Sequence, residues 1–384
     1  MYTLSDYSSM IADRVRTDAY ALALRQAIRP DCVCLDIGTG TGFFAILACR
    51  LGARKVIAVE PDDAIQVAHE VAAANGCAER ITFLQDVSTR IQLEERADVI
   101  VSDLRGVLPL LGNHLPSLID ARHRLLAPGG ALIPRKDILW SAVVEAPEEY
   151  ARAVPLGDEC VHGVNMEAAR SRIVNSWCKS HLKPENLLTQ PRSWTALDYT
   201  NLEGANVRGE AAWTVERPGM GHGLLLWFDA TLGEGIGFSN APGQPKLVYG
   251  QGFFPWVHPV PLAAGDVVDV TLRADLVGAD YIWGWDSRVR TSESAGRMKV
   301  KAEFHQSTFF GSKIAAAQLR KRAADHRAEL NEDGQIDRYI LNHMDASTSA
   351  GDLAHKLAKE FPHNFPKWQD ALTRVGDLAE KYSL

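Results

Sequence analysis

The sequence lacks several features that would assign it to a specialised class of protein. Its net charge is −7, so it lacks the excess of basic residues on which a general nucleic-acid binder depends. It has no long apolar run, and no basic segment followed by an apolar stretch at its start. It also shows no internal repeat. We therefore expect a cytoplasmic protein that binds neither nucleic acid nor membrane.

Cysteine is sparse, and its spacing gives no sign of disulfides or of a metal site. The six cysteines form no C-x-x-C pair, and four of them fall in strand or helix patterns within the first 80 residues. This arrangement is typical of buried free thiols in a reducing compartment. Cys178 and His181 stand in a helical pattern at a spacing that a metal would allow, but no second pair of ligands accompanies them. We expect no metal site.

The chain is long enough for two or three domains, and its pattern changes along its length. Residues 1–30 carry an apolar stripe at helical spacing, and the region that follows alternates strands with helices. This alternation predicts a mostly parallel sheet covered by helices on both faces. The predicted strands are 32–37, 55–60, 81–85, 97–102, 131–133 and 138–145, with a turn at 128–130.

The middle of the chain has a different character. Helical patterns at about 147–153 and 166–182 precede many short alternating segments between 192 and 310. Glycine and proline punctuate these segments, which predicts an antiparallel β-barrel or sandwich. Trp283 and Trp285 share one face of a predicted strand. We expect them to pack in the core; the alternative is that they grip a cationic or planar substrate.

The last 50 residues predict a small helical module, after a charged helix or linker over 312–330. Apolar residues at helical spacing mark three helices, and Ser349 with Asp352 resembles a capping box at the start of the second. The apolar residues are Ile336, Ile340 and Met344 in the first helix, Leu353 and Leu357 in the second, and Leu372, Val375 and Leu378 in the third.

The most informative segment, residues 33–42, has the pattern of a buried strand followed by a glycine-rich turn. A second strand then ends in Glu60, so the pattern is one βαβ unit of the kind that holds a nucleoside. The glycine spacing is G-x-G-x-G rather than G-x-G-x-x-G, and Asp36 stands directly before it. A carboxylate there repels a pyrophosphate and suits a cationic cofactor, so we favour S-adenosyl-L-methionine. A nicotinamide oxidoreductase and a purely structural turn are the alternatives.

Three stretches, residues 10–20, 35–42 and 52–60, resemble the protein arginine methyltransferase family. They match the family's cofactor-covering helix and its first two cofactor motifs. The resemblance implies that Arg16 pairs with the methionine carboxylate, since its guanidinium offers two parallel donors. Without the resemblance, we would interpret Arg16 as a solvated charge on a helix. It also implies adenine recognition at Asp86 and Val87, where the alternative for Asp86 is a turn acid. The expected cofactor contacts are Met10, Arg16, Asp36, Gly38, Gly40, Gly42, Glu60, Pro61, Asp86, Val87 and Ser102.

The acceptor side departs from that family. Asp103 stands where the family has the first of two glutamates that clamp a guanidinium, and the place of the second falls near Gly112. Arg105 adds a positive charge, and Tyr249 replaces the histidine of the Thr-His-Trp motif. We expect Asp103 to accept or polarise the acceptor's proton, unless it only caps a helix or pairs with Arg105. Arg105 near the acceptor favours a substrate with a carboxylate, or a neutral acceptor such as imidazole. Tyr249 orients the acceptor or lines the pocket.

The expected fold is α/β, with four regions. Helices over 1–30 cover the cofactor, and a Rossmann-like methyltransferase domain spans 31–146. An antiparallel β-barrel or sandwich domain over 147–311 carries a helical arm near 158–190, and a helical module spans 312–384. The resemblance implies that the arm forms a homodimer. The helical module faintly resembles the winged-helix-like PqqD-type domains that hold leader peptides, or it is a structural cap.

The expected function is therefore methyl transfer from S-adenosyl-L-methionine to a nitrogen or oxygen of a protein or peptide. Two alternatives remain open. One is methylation of a small metabolite. The other is a cofactor-binding partner protein that has lost catalysis, an idea prompted by the missing second glutamate.

Overall fold

The computed structural model describes residues 2–156, 162–292, 298–313 and 315–383. The chain divides into two compact units, a first unit of Met1–Ser312 and a second unit of Lys313–Leu384. Among the described residues, no helix is both long enough and apolar enough to pass through a membrane.

Two helices open the first unit, as the sequence predicts for residues 1–30. They are α1 (Leu4–Ala12) and α2 (Arg14–Ala27). Thr3 and Asp6 form a capping box at the start of α1, and the Asp13 carboxylate accepts a hydrogen bond from the backbone N–H of Arg16. No residue of α1 is buried, whereas α2 buries one face. The second helix is therefore part of the folded core, and the first lies on its surface.

A five-stranded parallel sheet follows, in the order β3-β2-β1-β4-β5. The strand order reverses between β1 and β4, and ligands bind outside the carboxyl ends of the strands at such a point. The elements are β1 (Val33–Ile37), α3 (Phe43–Arg50), β2 (Lys55–Val59), α4 (Ala64–Ala74), β3 (Ile81–Leu84), β4 (Ala97–Ser102), α5 (His114–Arg124) and β5 (Leu126–Ile133).

The start of β5 corrects the sequence-based expectation. Residues 128–130 were expected to form a turn before a strand at 131–133, but the strand already begins at Leu126. Gly129 has a φ of +76°, and the register against β4 shifts between Ala97 and Val99. Two residues of β4 are matched there by five residues of β5, so this irregularity takes up three extra residues, and a segment with turn composition stays in the strand.

The remainder of the first unit is antiparallel, as predicted for residues 192–310. The strand expected at 138–145 was assigned to the parallel sheet, but it forms β6 and pairs antiparallel with its two neighbours. One sheet has the order β7-β12-β10-β6-β8 with β11 paired to β10, and the other has the order β15-β14-β13-β9. The elements are β6 (Lys136–Val144), α6 (Pro147–Ala153), α7 (Glu167–Ile173), β7 (Cys178–Ser180), β8 (Arg192–Asp198), β9 (Val207–Thr214), β10 (Gly219–Gly233), β11 (Ile236–Ser239), β12 (Gln251–Leu262), β13 (Val267–Val277), β14 (Asp280–Ser292), β15 (Met298–Ser307) and α8 (Thr308–Gly311).

The segment expected as a helical arm is only partly helical. Residues 166–182 were expected to form one helix, but α7 ends at Ile173 and Cys178 lies in a short strand opposite Phe253. The free edge of β12 offers backbone hydrogen bonds to this segment, which outweighs its helical spacing. Part of the expected arm, residues 157–161, lies outside the described residues.

The paired tryptophans belong to the core, which confirms the first of the two interpretations. Trp283 and Trp285 are 2% and 0% exposed. The ring centroid of Phe254 lies 5.2 Å from that of each tryptophan, and Trp177 stacks on Phe254. Neither tryptophan is available to hold a substrate.

The second unit is a helical module with its own small core, as the apolar spacing predicts. The side chain of Ser349 accepts a hydrogen bond from the backbone N–H of Asp352, which caps the helix as expected. Ile336, Ile340 and Leu357 are buried in the core of this module. The helices are α9 (Ala316–Lys321), α10 (Glu332–Asn342), α11 (Ala350–Glu360) and α12 (Trp368–Tyr382).

Candidate functional site

A cavity of about 360 Å³ lies at the carboxyl ends of β1, β2 and β4, beside α1 and the start of α2. Eight of the fourteen residues predicted for the site line it: Met10, Arg16, Gly38, Glu60, Pro61, Asp86, Val87 and Asp103. The remaining six are not among its lining residues: Asp36, Gly40, Gly42, Ser102, Arg105 and Tyr249. Aromatic and apolar residues that the sequence analysis did not select complete the wall, among them Tyr2, Tyr7, Phe43, Leu104 and Leu111.

The glycine-rich turn after β1 forms the floor of this cavity. Gly38 and Gly40 have φ values of +76° and +53°, which side chains other than glycine rarely adopt. A Cβ atom on Gly40 would lie 2.4 Å from the ring of Tyr7, so α1 packs directly on this turn. The glycines therefore serve both the turn and the close approach of α1.

Glu60 is held in the cavity by the backbone of two loops. Its Oε2 accepts a hydrogen bond from the N–H of Gly40 at 2.9 Å, and its Oε1 accepts one from the N–H of Asp62 at 3.1 Å. Burial raises the pKa of this carboxyl, although both N–H donors favour its charged form. The carboxylate is thus fixed in position at the tip of β2, where ribose hydroxyls can donate to it.

Asp36 lies beneath the glycine-rich turn and not in the cavity wall, which corrects its expected direct contact. Its Oδ2 accepts hydrogen bonds from the Thr39 hydroxyl at 2.6 Å and from the backbone N–H of Ala45 at 2.9 Å. Its Oδ1 is buried and has no hydrogen-bond partner among the described residues. Burial raises the pKa of Asp36 to about 7, in spite of those two donors.

This raised pKa predicts that protein stability depends on pH. An unfolded Asp has a pKa of about 3.9, so between about pH 4 and pH 7 the folded state holds a proton that the unfolded state has lost. The associated stability is complete below about pH 4 and is lost as the pH rises to about 7. We expect the free energy of unfolding to fall relative to Asp36→Asn by up to about 1.4 kcal/mol per pH unit in this window. Urea titrations of both proteins measure the difference, and a constant difference would contradict the prediction.

Asp86 and Val87 line the cavity, and a hydrogen bond also links them. The Asp86 carboxylate accepts hydrogen bonds from the backbone N–H of Val87 at 2.6 Å and from the Nε of Arg90 at 2.7 Å. Asp86 is therefore a turn acid, the alternative that the sequence left open, and it also faces the cavity. The N–H of Val87 is already bonded within this turn.

Arg16 and Asp103, which both line the cavity, form a buried ion pair. The Nε of Arg16 donates to Oδ2 of Asp103 at 2.5 Å, and its Nη1 donates to the backbone oxygen of Met10 at 3.0 Å. The hydroxyl of Tyr249 also donates to Oδ2, and Nη1 of Arg105 donates to Oδ1 at 3.2 Å. Burial alone would raise the pKa of Asp103, but the two arginines outweigh it and lower that pKa.

These contacts change the role expected for Asp103. Both carboxylate oxygens are occupied by donors, and a carboxyl with a lowered pKa is a weak base. Asp103 is thus built to hold Arg16 in place and is poorly placed to take a proton from a substrate. Of the two sequence interpretations, the geometry favours pairing with arginine.

Arg105 is fully buried and does not reach the cavity, contrary to the expectation that it stands beside the acceptor. Its Nε and Nη2 donate to the two oxygens of Asp137 at 2.8 and 3.0 Å, and its Nη1 also donates to the hydroxyl of Tyr20. The side chains of Arg105 and Asp137 are both 0% exposed. The charge of Arg105 is therefore compensated inside the protein and does not select the substrate.

Two further predicted residues also lie behind the cavity wall. Tyr249 is buried, with its ring against Phe228 and Phe238. Ser102 is fully buried, and its backbone oxygen accepts a hydrogen bond from the hydroxyl of Tyr20. Tyr249 and Ser102 support the residues that face the cavity and do not themselves line it.

The sequence did not predict a group of buried polar residues beside Arg105. The hydroxyl of Tyr199 donates to Oδ2 of Asp137 at 2.5 Å, and Nε2 of His114 lies 3.1 Å from the same hydroxyl. His114 lines the cavity. Asp137 gave a weak signal, as a charged residue directly before an apolar strand pattern, but its partners lie far along the chain.

The chain matches two family models. Residues 17–135 match the model of the ribosomal protein L11 methyltransferase, and residues 136–276 match the arginine methyltransferase oligomerization subdomain. The first match covers the parallel sheet and the cavity, and the second covers most of the antiparallel region. Together they describe a methyltransferase-type domain followed by a β domain.

Named relatives agree with these models. The chain is similar to the probable protein arginine N-methyltransferase 6 of Arabidopsis thaliana, with 30% identity over 62% of this chain and 55% of the relative. It thus spans little more than half the length of that relative. It is 32% identical to protein arginine N-methyltransferase 6 of Xenopus tropicalis, over 60% of this chain and 71% of that protein. The chain therefore belongs to the protein arginine methyltransferase family.

A solved structure supports the fold. The PRMT1 enzyme–prozyme heterotetrameric complex of Trypanosoma brucei, determined with AdoHcy, superposes with a TM-score of 0.70 at 22% identity. The match covers 78% of this chain and 97% of that chain. The combination of a Rossmann-like domain with an antiparallel β domain, expected from the sequence, is thus that of this family.

Proposed function

We propose that this protein is a methyltransferase that uses S-adenosyl-L-methionine to methylate a side chain of a protein or peptide. The observation that carries the proposal is the cavity at the tips of β1, β2 and β4. It has Glu60 at one point of its wall and the Arg16–Asp103 pair at another. One space of the size of a nucleoside thus has a carboxylate, Glu60, that can bind a ribose. It also has a guanidinium, Arg16, that can bind an amino-acid carboxylate.

The residues present fit this cofactor. The glycine-rich turn leaves no room for a Cβ at Gly38 or Gly40, so its backbone can approach a ligand. Asp36, with its buried and unpartnered Oδ1, lies beneath the turn, and its ionised form favours a cationic ligand there. Arg16 would hold the cofactor carboxylate and Glu60 its ribose, with Asp86 and Val87 beside the base. When bound, the cofactor supplies a methyl group on a positively charged sulfur.

The chain's own residues then contribute position and electrostatics. Asp103 and Met10 fix the guanidinium of Arg16, and Glu60 is fixed by two backbone donors. Helix α1 covers the turn through Tyr7 and limits the access of water. These contacts hold the donor in one place.

We also propose a protein or peptide as substrate, a homodimer as the assembly, and the cytoplasm as the location. The relatives are named as protein arginine methyltransferases, and the second matched model is an oligomerization subdomain. The cysteines of the described ranges are free thiols, which fits a reducing compartment. Leader-peptide binding by the second unit stays a prediction.

The first test is cofactor binding by calorimetry with S-adenosyl-L-methionine and with NADH. We expect the first to bind and the second not to bind. Glu60→Gln keeps the shape but weakens the ribose hydrogen bonds, so we expect about 10- to 100-fold weaker binding. The matched control is Glu70→Gln on the exposed side of α4, which should bind like the natural protein. Binding of NADH alone would make the protein an oxidoreductase.

The second test is transfer itself. The full chain is incubated with methyl-labelled cofactor and a proteolysed cell extract, and labelled peptides are identified by mass spectrometry. Label on a peptide side chain supports the proposal, and label confined to small metabolites supports the alternative substrate class. Tight cofactor binding without label in either fraction would indicate a partner protein that has lost catalysis.

A further inference from the structure

His114 lines the cavity and has one ring nitrogen without a hydrogen-bond partner among the described residues. The residue begins α5, lines the cavity and is 1% exposed. Its Nε2 lies 3.1 Å from the hydroxyl of Tyr199, whereas its Nδ1 is buried without a hydrogen-bond partner in the described parts of the chain. A buried polar atom without a hydrogen-bond partner destabilises the folded protein, so this nitrogen is a candidate to bind a ligand.

The neighbouring hydrogen bonds determine which nitrogen of His114 carries the proton. Asp137 receives two N–H bonds from Arg105, and its carboxylate can only accept. The hydroxyl of Tyr199 therefore donates to Asp137 and must accept from His114. The proton then sits on Nε2, and Nδ1 presents a lone pair.

His114 also stays uncharged. Burial lowers its pKa to about 3, and the positive charge of Arg105 adds to this effect. An imidazole with such a pKa is neutral throughout the physiological range. It therefore supplies a hydrogen-bond acceptor that carries no negative charge.

The charges around His114 are balanced among themselves. Arg16 and Arg105 face Asp103 and Asp137 in one buried cluster. No carboxylate of this cluster is left over to hold a guanidinium, which needs flat anionic partners. The acceptor end of the cavity therefore suits an uncharged group that carries an N–H bond.

We propose that Nδ1 of His114 accepts a hydrogen bond from the N–H of an uncharged acceptor, such as an imidazole side chain, and so orients its other nitrogen for methylation. This inference rests on the proposed function. The lone pair of that nitrogen forms the bond to the methyl carbon, and the carbon–sulfur bond breaks with its electrons on sulfur. The methylated ring then loses its N–H proton to water, since His114 is too weak a base to keep it.

The test uses nitrogen-15 NMR of the full chain saturated with S-adenosylhomocysteine. Long-range proton–nitrogen correlations distinguish the two neutral forms of each of the 12 histidines. The ring signals that disappear in the His114→Gln variant are those of His114. The His114→Asn variant provides the same assignment if the first variant does not fold. We expect a protonated Nε2 and a bare Nδ1. Imidazole added at pH 8 should shift the Nδ1 signal, and guanidinium chloride at the same concentration should not.

The Tyr199→Phe variant tests whether the hydrogen bond with Tyr199 orients His114 or whether His114 is simply buried. The variant removes the hydroxyl that fixes the proton on Nε2, so we expect a mixture of both neutral forms. A proton on Nδ1 in the natural protein would overturn the inference, as would guanidinium binding as tightly as imidazole. A shift of Nδ1 by S-adenosylhomocysteine alone, with none from imidazole, would also overturn it. Failure of S-adenosylhomocysteine to bind would instead overturn the proposed function.

Discussion

Arg16→Ala is expected to weaken binding of S-adenosyl-L-methionine by two to three orders of magnitude. Arg16 lines the cavity, and Asp103 and the backbone of Met10 hold it there. Removing one partner of a buried, hydrogen-bonded charge pair costs about 2–5 kcal/mol, and 1.4 kcal/mol corresponds to a factor of ten. Calorimetry measures the change.

A second ligand makes this prediction specific. 5′-Methylthioadenosine has the base, the ribose and the sulfur but no carboxylate, so Arg16→Ala should leave its affinity nearly unchanged. Arg14→Ala, on the exposed side of the same helix, is the control and should bind both ligands normally. An equal loss for both ligands would mean that the substitution damages the cavity and that Arg16 does not recognise the carboxylate.

Asp137→Ala is expected to lower the free energy of unfolding of the first unit by about 3–5 kcal/mol. Asp137 binds Arg105 through both oxygens, and both side chains are completely buried. Without Asp137 the guanidinium keeps one carboxylate neighbour, Asp103, which it shares with Arg16. Urea unfolding followed by tryptophan fluorescence reports mainly on this unit, because Trp368 is the single tryptophan of the second unit.

Two variants control this experiment. Glu95→Ala breaks the exposed ion pair with Arg54 and should cause a much smaller loss, because water screens it. Arg105→Met combined with Asp137→Leu removes both buried charges and should recover most of the stability. If the double variant is as unstable as Asp137→Ala, the loss comes from packing and not from the unpaired charge.

The cofactor side of the site could be predicted from the sequence, because its signals are local. The glycine spacing, the position of Glu60 at a strand end and the helical spacing around Arg16 all lie within short stretches. Gly38, Glu60 and Arg16 line the cavity as the pattern indicates. Asp36, Gly40 and Gly42 do not line it, because a pattern places them at the turn but does not show which side of the turn they face.

The acceptor side could not be predicted in the same way. Arg105 looked like a charge in an open loop, because its partner Asp137 lies 32 residues further along the chain. The role of His114 depends on Tyr199, which is 85 residues away. Such contacts form only when the parallel and antiparallel sheets pack together, and no local spacing encodes them. The short strand at Cys178 could not be predicted for the same reason, because it forms by pairing with the edge of β12, which is distant in the sequence.

The surface position of α1 has a consequence for the order of events in a catalytic cycle. This helix buries none of its own residues, yet Tyr7 rests on the glycine-rich turn. It can therefore lift away at little cost once Arg16 releases the backbone oxygen of Met10, while α2 stays in place. On the proposed function, we expect spent cofactor to leave the cavity past this helix while the rest of the first unit stays folded.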